Sequence, residues 1–289
     1  MMKAYGIKWG SYRLDIGNTT RIMGIVNVTP DSFSDGGIFF DSNTAIAQGE
    51  KLAEEGADIL DIGGESTRPF SEAVPAEEEI RRVVPVIEKL AGRISIPISI
   101  DTTKAVVAKY AIEAGASIIN DISALRSDEK LANVAAKYGV PVILMHMKGT
   151  PKNMQVSPHY DDLLGEIKSF LKDAIERAVK SGIDRAKIII DPGIGFGKTL
   201  EHNILLIKNL QELTDLGVPV LIGPSRKAFI RKILKDKAGN EPKPHEPVVE
   251  TGTQAAVAAA ILAGAHIVRV HDVASTVSTV KIIDALKNT

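Results

Sequence analysis

Short apolar runs alternate along this chain with longer stretches whose apolar positions recur every three or four residues. The short runs are RIMGIVN (21–27), DILDIG (58–63), IPISID (96–101), SIIND (117–121), VPVILMH (140–146), KIIID (187–191), VPVLIG (218–223) and HIVRVH (266–271). They are nearly continuous in apolar residues, as parallel strands buried on both faces must be. Between them, stretches such as AEEEIRRVVPVIEKLAG and YDDLLGEIKSFLKDAIERAVKSG keep the spacing of amphipathic helices. Gly56, Gly115, Gly139 and Gly264 are expected helix stops. Eight strand–helix units predict an α/β fold, a (β/α)8 barrel of the TIM type, with a doubly wound sheet as the alternative. Ahead of the first unit, AYGIKWGSYRLDIG (4–17) reads as an N-terminal β-hairpin turning at Gly10-Ser11 and is a candidate plug for the barrel bottom. The Pro-rich GNEPKPHEP (239–247) reads as an extra exposed loop, and no linker-like composition divides residues 1–289, so one domain is expected.

Composition narrows the class. The chain has 289 residues, 44% of them hydrophobic and 25% charged, enough for a sizeable core. Lys and Arg total 35 against 36 Asp and Glu, a balance that favours neither nucleic acid nor a membrane surface as partner. Cysteine is absent, which removes disulfides, thiolate metal sites and thiol nucleophiles and suits a cytoplasmic enzyme. The N-terminal residues lack the apolar core of a signal peptide. The longest apolar run, AAVAAAILAGA (255–265), falls short of the ~20 residues of a membrane helix. It reads as a buried helix whose alanines allow close approach, and secondarily as a subunit surface.

The strand ends carry the chemistry. Asn27, Asp61, Asp101, Asn120, Asp121, His146, Asp191, Arg269 and His271 all fall at or near C-terminal strand ends, which in a barrel converge on one mouth. Any one of them could equally be a helix N-cap, but capping alone does not account for nearly every unit ending this way. The stretch DPGIGFGKT (191–199) approaches two nucleotide-binding patterns and meets neither. The first glycine of a phosphate loop falls on Pro192, and the last glycine of a dinucleotide loop falls on Lys198. Its glycines therefore read as a tight turn. Asp61, Asp101 and Asp191, with Asn27 and Asn120, offer acceptors and amides to a flat polar ring whose edge displays N–H donors. Ser225, Arg226 and Lys227, with Arg68, Arg269 and His271, favour an anionic group and can stack on a ring. The hard oxygen of Asn27 suits Mg²⁺ bridging a phosphate, whereas the six histidines show no zinc spacing. Two long loops rich in turn residues, 27–42 and 63–77, are candidate lids.

MGIVNVTPDSFSDGG, DIGGESTRP, ISIDTTKAVV, IINDIS, MHMKGTP, DPGIGFGKT, GPSRK and RVHDV closely resemble, in order, the motifs of the dihydropteroate synthases, the sulfonamide targets of folate biosynthesis. The resemblance spans essentially all of the chain after the hairpin. It implies a transferase that joins 7,8-dihydropterin-6-ylmethyl diphosphate to 4-aminobenzoate, giving 7,8-dihydropteroate and diphosphate, with Mg²⁺ as cofactor and a homodimer as assembly. Carried over residue by residue, it places Asp101, Asn120, Asp191 and Lys227 on the pterin edge, Arg269 on the ring face, and Ile122, Met145 and Gly223 along the slot. It assigns diphosphate to Asn27, Arg68, Arg269 and His271, with Asn27 also meeting Mg²⁺. It surrounds 4-aminobenzoate with Phe33, Thr67, Pro69, Phe196, Ser225 and Lys227, and brings Asp35, with Asn27 and Lys227, to the reacting centre. Two departures stand out: Phe70 where a small residue is expected after STRP, and HEPVVETGT without an arginine before its Gly-Thr step. The alternatives are a methyltetrahydrofolate-type methyltransferase and a non-catalytic pterin-binding homologue. The first has no diphosphate to bind and so no use for the Ser-Arg-Lys and Arg-Val-His clusters; the second would be expected to have lost Lys227, Arg269 or a loop residue.

Overall fold

The computed structural model describes residues 3–28, 38–67 and 71–289. A two-stranded antiparallel hairpin, β1 (Tyr5–Trp9) and β2 (Tyr12–Ile16), comes first and turns at Gly10-Ser11. Eight further strands follow: β3 (Arg21–Asn27), β4 (Ile59–Gly63), β5 (Ile98–Asp101), β6 (Ile118–Asp121), β7 (Val142–Met145), β8 (Ile188–Asp191), β9 (Leu221–Ile222) and β10 (Ile267–Val270). They pair in parallel in the order β8-β7-β6-β5-β4-β3-β10-β9, and a bridge between Ile190 and Val220 joins the two ends. The sheet is thus a barrel, and the doubly wound alternative falls away.

Helices return the chain between strands: α1 (Ile38–Glu54), α2 (Ala76–Ala91), α3 (Ala105–Glu113), α4 (Lys130–Tyr138), α5 (Leu163–Lys180), α6 (Leu200–Lys208) with the short α7 (Gln211–Thr214), α8 (Ala228–Ile233) with α9 (Pro247–Leu262), and α10 (Val273–Asn288). Their apolar faces pack on the outward side chains of the strands, among them Ile22, Leu60, Ile100, Val142 and Ile190. The expected stop at Gly139 is a left-handed C-cap at φ 63°, where its N–H satisfies carbonyls of the last turn of α4. Inside the barrel a second cluster joins Met23, Ile59, Ile118, Ile143, Ile189, Leu221 and Ile267 to Ile7, Trp9, Leu14 and Ile16 of the hairpin. These barrel residues sit at or near the N-terminal ends of their strands, so the hairpin closes the bottom and leaves the opposite end for chemistry.

Two expectations are adjusted. The first long loop, read as 27–42, ends earlier because Ile38 already begins α1; residues 29–37 lie outside the described residues. The Ala-rich helix is buried along one face only, through Val249, Thr253, Val257, Ala260 and Ile261, while Leu262 is 61% exposed. Among the described residues no helix is long and apolar enough to cross a membrane.

Candidate active site

Strand register brings the polar ends together. Asn27 lies opposite Gly63, Gly63 opposite Asp101, and Asp101 opposite Asn120, so one rung of the sheet carries three of the expected site residues. Met145 lies opposite Asp191 across the β7–β8 pair. Arg269 reaches across this rung from β10. Its Nε donates to Asp61 Oδ2 at 2.6 Å and its Nη2 to Asp101 Oδ2 at 2.9 Å. Asn120 donates its amide N–H to the same Asp61 oxygen at 3.0 Å. Burial works against the charge of Arg269, but the two carboxylates outweigh it and its pKa is raised. Burial also pushes Asp101 up, against the pull of Arg269 and with the push of the Asp61 charge.

Asp191 ends β8, buried, with its Oδ1 accepting the backbone N–H of Gly193 at 2.7 Å. Burial pushes its pKa up to about 6, although that hydrogen bond and the nearby Lys227 charge pull the other way. Past it, Phe196 joins Ile122, Met145, Met147 and Met154 in a small buried apolar cluster. The Lys227 ammonium lies 4.1 Å from the Phe196 ring centroid. A cation, an apolar wall and a row of acceptors are therefore contiguous at the strand ends.

At the β9 and β10 exits, Ser225 Oγ sits 2.9 Å from His271 Nδ1 and accepts the backbone N–H of His271 at 3.3 Å. The residues expected to meet aminobenzoate and diphosphate are thus directly linked. Arg226, read as part of the cation cluster, turns away: its φ is 58°, its N–H donates to Thr253 and its guanidinium pairs with Glu250 of α9 at 3.3 Å. Gly223 sits beside Arg269, whose Cβ lies 3.7 Å from where a Cβ on the glycine would be. Thr67 is half-buried at the end of the described part of its loop. Phe33, Asp35, Arg68, Pro69 and Phe70 lie outside the described residues.

Three strand-end residues have other work. Asp61 is fully buried beneath Arg269 and Asn120, not presented to the opening. Asp121 accepts from Ser123 N and Oγ and from Leu125 N at 2.6–2.8 Å, building a turn in which Ala124 and Leu125 adopt positive φ. His146 is buried, edge-on to Phe170 and 3.0 Å from Lys198 Nζ, and burial pushes its pKa down to about 2.

Several supporting residues gave no sequence signal strong enough to single them out. Lys198 donates to the Phe196 carbonyl at 2.9 Å, and burial lowers its pKa to about 7. In the sequence it only marks a spoiled glycine pattern. Lys104 bridges Glu65 and the fully buried Glu79, tying the start of the β4–α2 loop to α2 and α3. Met147 and Met154 sit in irregular segments where periodicity cannot flag burial.

For magnesium, the donor set is the test. Among the described residues no cluster of three His, Asp or Glu side chains could hold a metal. Mg²⁺ commonly keeps several waters and takes oxygens from substrate phosphates, so one amide oxygen, that of Asn27, fits an ion that arrives with a diphosphate.

The family of pterin binding enzymes matches residues 23–271. A dihydropteroate synthase of Synechocystis sp. is 48% identical over 277 residues, covering 96% of this chain and 93% of the relative. The structure of Xanthomonas albilineans dihydropteroate synthase with 4-aminobenzoic acid superposes with a TM-score of 0.89 at 45% identity, covering 99% of this chain and 100% of the other. The same enzyme in complex with 7,8-dihydropteroate gives a TM-score of 0.83 at 46% identity, covering 94% and 95%.

Proposed function

The chain belongs to the pterin-binding enzyme family, and from that premise we infer that it is a dihydropteroate synthase. Its substrates are then a dihydropterin diphosphate and 4-aminobenzoate, the arylamine nitrogen forming a bond to the pterin methylene carbon as the C–O bond to diphosphate breaks. The observation that carries this reading is the meeting of an acceptor row with Arg269 and the Phe196 cluster at one barrel mouth.

The roles proposed for the residues follow from their chemistry. Asp101 and Asp191, when ionised, only accept hydrogen bonds, so they suit the N–H edge of an aminopyrimidinone. Arg269 combines a flat face for the ring with a charge for diphosphate, near Asn27 and His271. Lys227, lying over Phe196, can serve the pterin edge and the second substrate, whose ring Thr67, Ser225 and Phe196 would flank. Mg²⁺ held by Asn27 and substrate oxygens would neutralise charge on the departing diphosphate. Cations do the same from the protein side, so no strong general acid is required. Neutral arylamine attacks once it is positioned and water is excluded. Asp35 is assigned to charge stabilisation or late proton removal; Asp35→Asn should then lower turnover far more than pterin affinity.

The lack of cysteine suits a reducing compartment, so the proposed location is the cytoplasm. The exposed Leu262, Ile282 and Leu286 of α9 and α10 support a homodimer through these helices, and sedimentation returning only monomer would remove that part. The reaction itself is tested by diphosphate release from purified protein given the pterin diphosphate and Mg²⁺, with and without 4-aminobenzoate. Dihydropteroate is expected only when all are present. Binding of the pterin without any product would overturn the synthase reading.

A further inference from the structure

We propose that Asp61 is a positioning residue that sets both the amide orientation of Asn120 and the plane of the Arg269 guanidinium, and so pre-organises the pterin slot. The inference rests on the synthase reading for the identity of the ring. Asp61 is fully buried in β4 and has no route to a ligand of its own. One of its carboxylate oxygens, Oδ2, receives Arg269 Nε at 2.6 Å and Asn120 Nδ2 at 3.0 Å. A carboxylate can only accept, so the NH₂ arm of Asn120 must face it. The carbonyl arm is then the one left to receive a ring N–H. Without the carboxylate, the two arms of the amide become interchangeable and half of the orientations present the wrong group.

The effect on Arg269 is similar. Nε is held by Asp61 and Nη2 by Asp101 Oδ2 at 2.9 Å, so two carboxylates on different strands fix the guanidinium plane. A guanidinium held at two points keeps its face ready for stacking, whereas one tied only to Asp101 can swing about that contact. Asp101 is itself an expected pterin ligand, and its bond to Arg269 is the one that a ring N–H would compete for. Asp61 offers Arg269 a second anchor that ligand binding does not touch.

The test compares wild type, Asp61→Asn and Asp61→Glu. Asparagine keeps the shape and loses the charge; glutamate keeps the charge and moves it. Both should raise KM for the pterin diphosphate by at least about tenfold, while KM for 4-aminobenzoate stays within about twofold. A purely structural role would instead lower the unfolding midpoint and spread its loss over both substrates. In an Arg269→Met background, Asp61→Asn should add less than it does alone, because part of its action runs through that guanidinium. An unchanged pterin KM in an active variant, equal loss for both substrates, or failure of both variants to fold overturns the proposal. If wild type makes no dihydropteroate, the synthase reading fails instead. Calorimetric binding of a diphosphate-free dihydropterin to wild type and Asp61→Asn then decides the positioning role alone, equal affinities counting against it.

Discussion

Asp191, proposed to accept from the pterin edge, is also costly to the fold. Its ordinary pKa of 3.8 is raised to about 6 by burial. Below 3.8 the group is protonated in both folded and unfolded chains. Between 3.8 and about 6 the unfolded chain has released its proton and the folded chain still holds it, so stability falls as pH rises through that window. Above it, the folded protein carries a penalty on the order of 3 kcal/mol. Asp191→Asn should therefore raise the thermal midpoint of the ligand-free protein at pH 8 by several degrees and leave it nearly unchanged at pH 3.5. The same substitution should weaken pterin binding sharply. In wild type, kcat/KM for the pterin diphosphate should fall as pH drops below neutrality, as Asp101, raised to about 7 by burial, and then Asp191, raised to about 6, lose their accepting charge. A midpoint that drops at pH 8 in the variant would contradict this account. At this scale the sequence could place Asp61, Asp101 and Asp191 at strand ends but could not say that the first is sealed beneath an arginine.

One element, the turn between β8 and α6, looked in sequence like a damaged phosphate loop. Its glycines serve close packing. Gly193 has a φ of 70°, and a Cβ added there would lie 2.0 Å from the His146 carbonyl oxygen; at Gly197 it would lie 2.6 Å from the Lys148 carbonyl oxygen. The turn thus lies flush against the exit of β7, which sets Phe196 beside Met145 and Met147. Gly193→Ala combines backbone strain with a clash against main chain and should cost more than about 3 kcal/mol in urea unfolding. Gly10→Ala, at φ 50° in the open hairpin turn with nothing within 4 Å, should lose only about 1 kcal/mol. Equal losses would mean that the close approach is not what the glycine is for. The sequence reading of turn geometry was right for these residues, but it contained no hint of the neighbouring strand they press against, because that contact spans more than 45 positions of the chain.

Across the whole molecule, structure and chemistry occupy opposite ends of the barrel. Trp9 is buried in the cluster that the hairpin forms with the lower barrel interior. Trp9→Ala should destabilise the protein by about 3–5 kcal/mol. It should leave KM for the pterin diphosphate within about twofold of wild type, since the mouth is built from other layers. A marked rise in that KM would show that the plug also shapes the site. The hairpin, read as 4–17, and its turn at Gly10-Ser11 were legible to within a residue at each end, because alternation and a Gly-Ser pair leave few other ways to fold such a short segment. Barrel closure was legible only as a count of repeating units.

What the sequence determined by itself is what local chemistry dictates. Continuous apolar runs had to become buried strands, Gly139 had to end a helix, and polar residues at the strand ends had to gather wherever those ends met. Its motifs were long enough to indicate the pterin-binding family. Only the tertiary structure decided which of the polar ends face the mouth. Asp61 and Asp101 follow the same kind of apolar run and both meet Arg269, yet Asp61 is fully buried while Asp101 sits in the rung between Gly63 and Asn120. Asp121 differs from its neighbour Asn120 by one position and therefore by one face of the strand, and its carboxylate closes a turn. Arg226 and Lys227 are adjacent too, and a positive φ at Arg226 sends one cation to Glu250 and the other to Phe196. Such choices depend on which partners arrive from strands and helices distant in sequence, and charge and burial at the meeting point, not residue type, settle them.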